Sequence, residues 1–296
     1  MKKAIISVIM LLCTLSASYS EIRIAAAYPY IADVAAKIGG DRVKADALAP
    51  GNWDPHFVPA KPSLIAKLRN ADLLIANGAE LEIGWLPPVV RESRNAKIMQ
   101  GAKGFLDLSD HIKLIDIPVN ISRAKGDVHP SGNPHFCLDP ANILLISKAV
   151  SDKLCEIDPA GAEYYKANQI KFSGIWNSKM IEWDKAMAPL KGSRVVQYHK
   201  IYDYFFKRYG MQSAGELEPL PGISPSSGHI ARIIETIKAE KIRYIFNDVY
   251  HSTNPAELVA GKTGARVLVI PHDVGAVKEA RDVVSLFDEI VRRITK

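Results

Sequence analysis

From residue 22 onward the chain alternates two hydrophobic patterns. Short runs dense in Ile, Leu, Val and Ala at residues 22–28, 43–49 and 72–76 read as strands. Between them apolar positions recur every three or four residues. That period predicts a helix reaching residue 38, where Gly39 and Gly40 stop it, and further helices over 62–70 and 81–93. A short strand is expected near 97–99, and Asp139-Pro140 opens a helix running through 154. The alternation restarts late, with strands at 194–198, 241–247 and 266–270 and helices at 226–239, 255–262 and 277–294. Strand–helix alternation at this spacing implies right-handed crossovers and mainly parallel sheets. The fold class is therefore α/β, with two such units.

The segment between the units has another pattern. Asp158-Pro159 is a plausible cap and first turn, and no proline follows until Pro189. Tyr164, Tyr165, Ile170, Phe172, Ile175, Trp176, Met180, Ile181 and Trp183 recur at helical steps and read as a core-packing stripe. A helix of some thirty residues would be about 45 Å long, enough to run along both units as a semi-rigid connector. The expected organisation is a leader at 1–20, an N-terminal lobe at 21–157, a connecting helix at 158–188 and a C-terminal lobe at 189–296. The length of 296 residues fits two domains at roughly 150 each.

Composition and charge narrow the function. With 48% hydrophobic and 24% charged residues the chain is an ordinary globular one, which excludes a disordered or fibrous protein. Lys2 and Lys3, an apolar stretch over 4–12 and small residues up to Ser20 have the form of a secretory signal peptide. The apolar core is about nine residues, too short to span a bilayer that needs about twenty. Leu12 before Cys13 argues against a lipid-anchored cysteine. Cleavage near Ser20 lowers the net charge from +6 to +4, since 36 basic residues then face 32 acidic ones. Like charges run no longer than pairs such as Arg292-Arg293, and no basic stripe interleaves with aromatics, so a nucleic-acid partner is excluded. The expected product is exported, soluble and periplasmic. Positions 141 and 155 of the helix opening at Asp139-Pro140 would lie about 21 Å apart, far beyond the roughly 7 Å a disulfide allows. A bridge between Cys137, just before that helix, and Cys155 is therefore not expected, and two free, buried thiols are.

Candidate chemistry lies in the histidines. His56 leaves the second strand, His135 precedes a helix and His199 directly follows the strand at 194–198. Ligands of open α/β sheets bind at the carboxyl ends of strands, so these three, drawn from two lobes, point to an interlobe cleft. Imidazole nitrogen suits a borderline-soft divalent ion. Each of the other histidines, at 111, 129, 229, 251 and 272, reads as a surface or hydrogen-bonded residue. His129 in particular reads as a solvated loop residue, with transient metal capture the alternative.

Ordered motifs carry a resemblance. The run Asp54-Pro55-His56, with Pro59, Pro62, Ser63, Lys67, Leu68, Ala71, Asp72 and Leu73 behind it, resembles the first-ligand motif of the metal-binding receptors of zinc/manganese ABC importers. Asn133-Pro134-His135-Phe136-Cys137-Leu138-Asp139-Pro140 resembles the second, with Cys137 where an aromatic residue is usual. Tyr198-His199 followed by Tyr204-Phe205 resembles the third, and Glu218-Pro219, Pro221-Gly222 and Pro225-Ser226 resemble a turn before a C-terminal helix. The resemblance implies two α/β lobes joined by a backbone helix, with one metal between them. It implies a monomeric extracytoplasmic binding protein, not an enzyme, that hands its ion to a membrane permease. The fourth ligand it implies is an Asp at the end of the last strand. Here Asp273 is the expected ligand, with His272, Asp248 or a water as alternatives. Three histidines and a carboxylate suit Zn²⁺, whereas Glu in the third position would favour Mn²⁺, which stays the second choice. Asp54 and Asp139 stand where either orients an imidazole, though Asp139 equally suits a helix cap. Two rival functions are a secreted zinc hydrolase with a three-histidine-plus-water site and a chelate or haem receptor. No His-Glu-x-x-His helix or strand–turn–Ser motif supports the first.

Overall fold

Strands β1 (Ile22–Ala26), β2 (Val43–Ala47), β3 (Leu73–Ala76) and β4 (Phe105–Asp107) form one sheet in the order β2-β1-β3-β4. Strands β5 (Arg194–Gln197), β6 (Gln212–Glu216), β7 (Tyr244–Asp248) and β8 (Arg266–Ile270) form a second in the order β6-β5-β7-β8. All pairings are parallel, so the two sheets share one topology. This computed structural model describes residues 21–119, 129–220 and 222–296; the expected leader at 1–20 lies outside them. No helix of the described residues is long and apolar enough to cross a membrane.

Parallel pairing needs crossovers, and these strands are built for burial on both faces. Leu73, Leu74, Ile75 and Ala76 of β3 are buried throughout, as expected of a central parallel strand. Helix α1 (Pro29–Gly39) has proline in its first turn and buries Tyr30, Ile31, Val34, Ala35 and Ile38 on one face. It ends at Gly40, whose φ of +52° and close approach to the Tyr164 hydroxyl leave no room for a Cβ. Helix α2 (Pro62–Arg69) also starts on proline. Helix α3 (Leu86–Ser93) begins five residues later than the periodicity suggests, because Pro87 and Pro88 confine helix to a first turn that starts at Leu86. The strand expected at 97–99 is instead a 3₁₀ turn, Ala96–Ile98, and the sheet takes β4, three residues between Gly104 and a 3₁₀ turn. So short a strand has no period of its own, and pairing with β3 decides it.

Helix α4 (Pro140–Ile157) is capped by Asp139, whose carboxylate accepts from the Ala141 N–H at 2.8 Å. Asp139 is thus a cap and not an imidazole partner. Helix α5 (Ala162–Met187), flanked by 3₁₀ turns at Pro159–Gly161 and Ala188–Leu190, joins the lobes. Asp158 does not cap it, being paired with Arg42 at 2.6 Å and with the Tyr165 hydroxyl at 2.7 Å. The buried positions of α5 are Tyr165, Phe172, Trp176, Trp183 and Met187, while Ile170, Ile175 and Ile181 face solvent. Steps of seven and four make an eleven-residue repeat, close to the period of a straight helix, so the buried stripe is narrower than the aromatic pattern suggests.

In the C-terminal lobe, α6 (Asp203–Tyr209) and β6 escape the periodicity, whereas α7 (Ser227–Glu240) and α8 (Asn254–Thr263) follow it within one residue at each end. Helix α9 (Val283–Thr295) starts later than expected, at a capping box in which Asp282 and Ser285 satisfy each other's backbone. One hydrophobic core runs from the first sheet through α4, α5 and α9 to β5, α6 and β8. A second, smaller one lies under α7 and α8. Cys137 and Cys155 are free and half-buried, not fully buried as expected.

Candidate metal centre

The carboxyl ends of both sheets face each other, and the loops there are pinned before any ion arrives. The loop after β2 is held by the Pro55 carbonyl, which accepts from the Tyr28 hydroxyl at 2.8 Å and the Trp85 indole at 3.1 Å. On it, Asp54 accepts from the His56 backbone N–H at 2.9 Å and lies 2.8 Å from His56 Nδ1. That carboxylate fixes the tautomer, with the proton on Nδ1 and the lone pair on Nε2.

His135 is held from below and from across the cleft. Asn77 Nδ2 donates to the Pro134 carbonyl at 3.1 Å, and the Asn133 side chain accepts from His135 N–H at 2.9 Å. Asn133 also donates to the Lys200 carbonyl at 2.9 Å and accepts from the Tyr204 hydroxyl at 2.8 Å, so its loop is tied to the C-terminal lobe. His199 follows β5, and its Nδ1 lies 2.7 Å from a carboxylate oxygen of Glu218, which also accepts from Gly222 N–H. Glu218 is an orienting partner that sequence reasoning missed; the only signal was its place at the head of the Glu218-Pro219 motif.

The three expected imidazoles meet. Ring centroids of His56, His135 and His199 are 5.2 to 5.3 Å apart, with the His199 ring close to perpendicular to the other two. His129 joins them. Its ring stacks on His56 at 5.3 Å, so it is not a solvated loop residue. The nitrogens of His56, His129 and His135 all lie within 4.8 Å of one another. Nothing in the sequence around His129 announced this beyond its lying six residues ahead of His135. Burial, and then the charge of the neighbouring histidines, pushes the His129 imidazole down to about 3 and that of His135 well below its ordinary value. Both are therefore neutral near pH 7, as ligands must be.

The carboxylates expected to complete the site are occupied elsewhere. Asp273 is buried, and one of its oxygens accepts from Tyr30 N–H at 2.8 Å and Val274 N–H at 2.6 Å. It ties the end of β8 to the start of α1 and, like His199, lies outside the group that closes within 4.8 Å. The His199 ring meets those of His56 and His135, whereas the bonded oxygen of Asp273 is turned to α1. His272 Nε2 lies 3.2 Å from the Trp53 carbonyl and its ring meets Tyr250 edge-on. Asp248 serves His251, 2.8 Å from its Nδ1. The cavity bounded by Asp54, His56, His199, Glu218, Tyr250 and His251 measures about 20 Å³, room for a single ion or water. A chelate or haem does not fit such a space.

Comparison with known proteins identifies the family. A family profile described as "Zinc-uptake complex component A periplasmic", ZnuA, matches residues 24–296. The iron ABC transporter substrate-binding lipoprotein MtsA of Streptococcus pyogenes is 26% identical over 261 residues, covering 85% of this chain and 79% of its own. The manganese ABC transporter substrate-binding lipoprotein PsaA of Streptococcus mitis is 25% identical over 257 residues, covering 84% and 79%. A crystal structure of ZnuA superposes with a TM-score of 0.79 at 24% identity, covering 93% of this chain and 98% of that one. A Mn-bound periplasmic metal-binding protein from Candidatus Liberibacter asiaticus gives 0.76 at 21% identity, over 93% and 98%. These two structures bear on the fold alone.

Proposed function

We propose that this chain, which belongs to the ZnuA family of periplasmic substrate-binding components of metal ABC importers, carries Zn²⁺ as its cargo. Members of the family are receptors, not enzymes. The observation that carries the zinc reading is the convergence of His56, His135 and His199, two of them backed through Nδ1 by a carboxylate. An imidazole-rich set suits zinc, whereas manganese sites draw on more oxygen. The relatives named for manganese and iron keep Mn²⁺ as the alternative cargo.

In this reading residues 21–157 and 189–296 are the lobes and 158–188 the connector. The protein acts as a monomer, collecting one ion in the cleft and releasing it to the membrane permease. Imidazoles bind the ion only when neutral, and the Asp54 and Glu218 carboxylates keep them oriented and offset part of the ion's charge.

Metal content of the chain purified without chelator, measured by mass spectrometry, tests the proposal. One zinc per chain is expected, lost in His56→Ala and His199→Ala. Full retention of zinc in His199→Ala, or manganese outcompeting zinc at equal concentration, would overturn it.

A further inference from the structure

His129 holds a position that the three expected ligands do not account for. Its ring is stacked on His56 and stands perpendicular to His135 at 6.4 Å. Its Nε2 and that of His135 are buried and have no hydrogen-bond partner among the described residues. An unsatisfied buried polar atom is costly, and here two such nitrogens stand close together. No described side chain relieves them; a cation would.

The loop is shaped to keep His129 there. Gly132 N–H donates to the His129 carbonyl at 3.1 Å, closing a turn. Gly132 has a φ of +121°, and a Cβ there would meet the Ile115 carbonyl at 2.7 Å, so glycine is required. Ser131 then donates from its hydroxyl at 2.8 Å and from its N–H at 3.3 Å to the Glu80 carboxylate. Glu80 itself stands at a φ of +60°, in the turn that leads from β3 to α3.

We propose that His129 is a fourth metal ligand, closing an all-imidazole cage of His56, His129, His135 and His199, and that Asp273 supports the site through α1 without touching the ion. The proposal deepens the zinc reading above and rests on it. In a tetrahedral zinc site with Zn–N of about 2.0–2.1 Å the nitrogens stand about 3.3 Å apart. Nitrogens of His56, His129 and His135 stand within 4.8 Å of one another and His199 lies outside that group, so the cage has to draw in on binding, His199 included. A neutral cage leaves both positive charges of the ion to be balanced through Asp54 and Glu218, each within 2.8 Å of an imidazole Nδ1. Four nitrogens and no oxygen select zinc against manganese more sharply than three nitrogens and a carboxylate.

The test uses zinc titration against a competing chelator together with the visible spectrum of the Co²⁺-loaded chain. His129→Ala is expected to take up one zinc still, with affinity lower by about tenfold or more, since loss of even an orienting partner costs about 10–100-fold. Its Co²⁺ bands are expected to weaken and shift as water replaces an imidazole, while Asp273→Asn, which keeps the carbonyl acceptor for Tyr30 and Val274, leaves them unchanged. Unaltered affinity and spectrum in His129→Ala would overturn the proposal, as would a spectrum that changes in Asp273→Asn alone. If Asp273→Asn does not fold, the His129→Ala spectrum decides by itself. Failure of the zinc reading is distinct: it shows as full zinc retention in His199→Ala.

Discussion

At the scale of single residues, the site is assembled by side chains two steps away from any ion. Asn77 links them: it donates to the carbonyl of Pro134, beside His135, and accepts from the Tyr30 hydroxyl at 2.7 Å. Its own N–H and that of Gly78 are held by the buried carboxylate of Glu82 at 2.6 and 3.1 Å. Burial raises the Glu82 carboxyl from 4.5 to about 8, against the pull of those backbone donors. A raised acid favours folding fully below its unfolded value and loses that contribution as pH climbs through the folded value. Stability should therefore fall between pH 4.5 and about 8 by an amount Glu82 supplies. Between about pH 6 and about pH 9 the parent chain is expected to lose roughly 2–3 kcal/mol more than Glu82→Gln, at about 1.4 kcal/mol per unit. Urea unfolding of both proteins at the two pH values checks this, and parallel pH profiles would refute it.

At the scale of elements, what reads clearly in the sequence is what repeats. Helices α1, α2, α4, α7 and α8 begin on proline or a capping residue and carry an apolar face, and each lies within three residues of its expected span. Strand β4, helix α6 and strand β6 are three to seven residues long and draw their stability from neighbours rather than from a pattern of their own. The connector shows the same division. Its helical character is local, but which aromatics are buried depends on what lies against it. Trp176 meets Phe172 at 5.6 Å, Trp183 at 5.1 Å and Phe287 of α9 at 5.4 Å, and its indole donates to the Pro140 carbonyl at 2.7 Å. Trp176→Ala is expected to cost about 3–5 kcal/mol in chemical denaturation. Ile181→Ala, on the solvent face, is expected to cost under about 0.5 kcal/mol, as surface substitutions usually do.

At the scale of the molecule, the two lobes are not beads on a tether. The larger core crosses from the first sheet to the second, and α9, the last element of the chain, is tied back to α1 by Asp33 accepting from Val283 N–H at 2.9 Å. Asp273 and His272 reach the N-terminal lobe from the end of β8. Such a shared core couples the lobes, so unfolding should be cooperative. Far-UV circular dichroism and tryptophan fluorescence are expected to report one coincident urea midpoint. Two separated transitions would show that the lobes are independent.

The sequence by itself determined the α/β class, the paired lobes, the connecting helix and the three histidines that meet in the cleft. Those follow from local periodicity, from capping residues and from the rule that loops at strand carboxyl ends carry ligands. Only the tertiary structure decided the surroundings. It brought His129 against His56, gave Glu218 to His199, and set Asp273 under the first turn of α1. Each of those relations joins residues from different loops, and their distances depend on how two sheets dock across a shared core. A linear pattern records which residues are present and how they repeat; docking decides which of them meet.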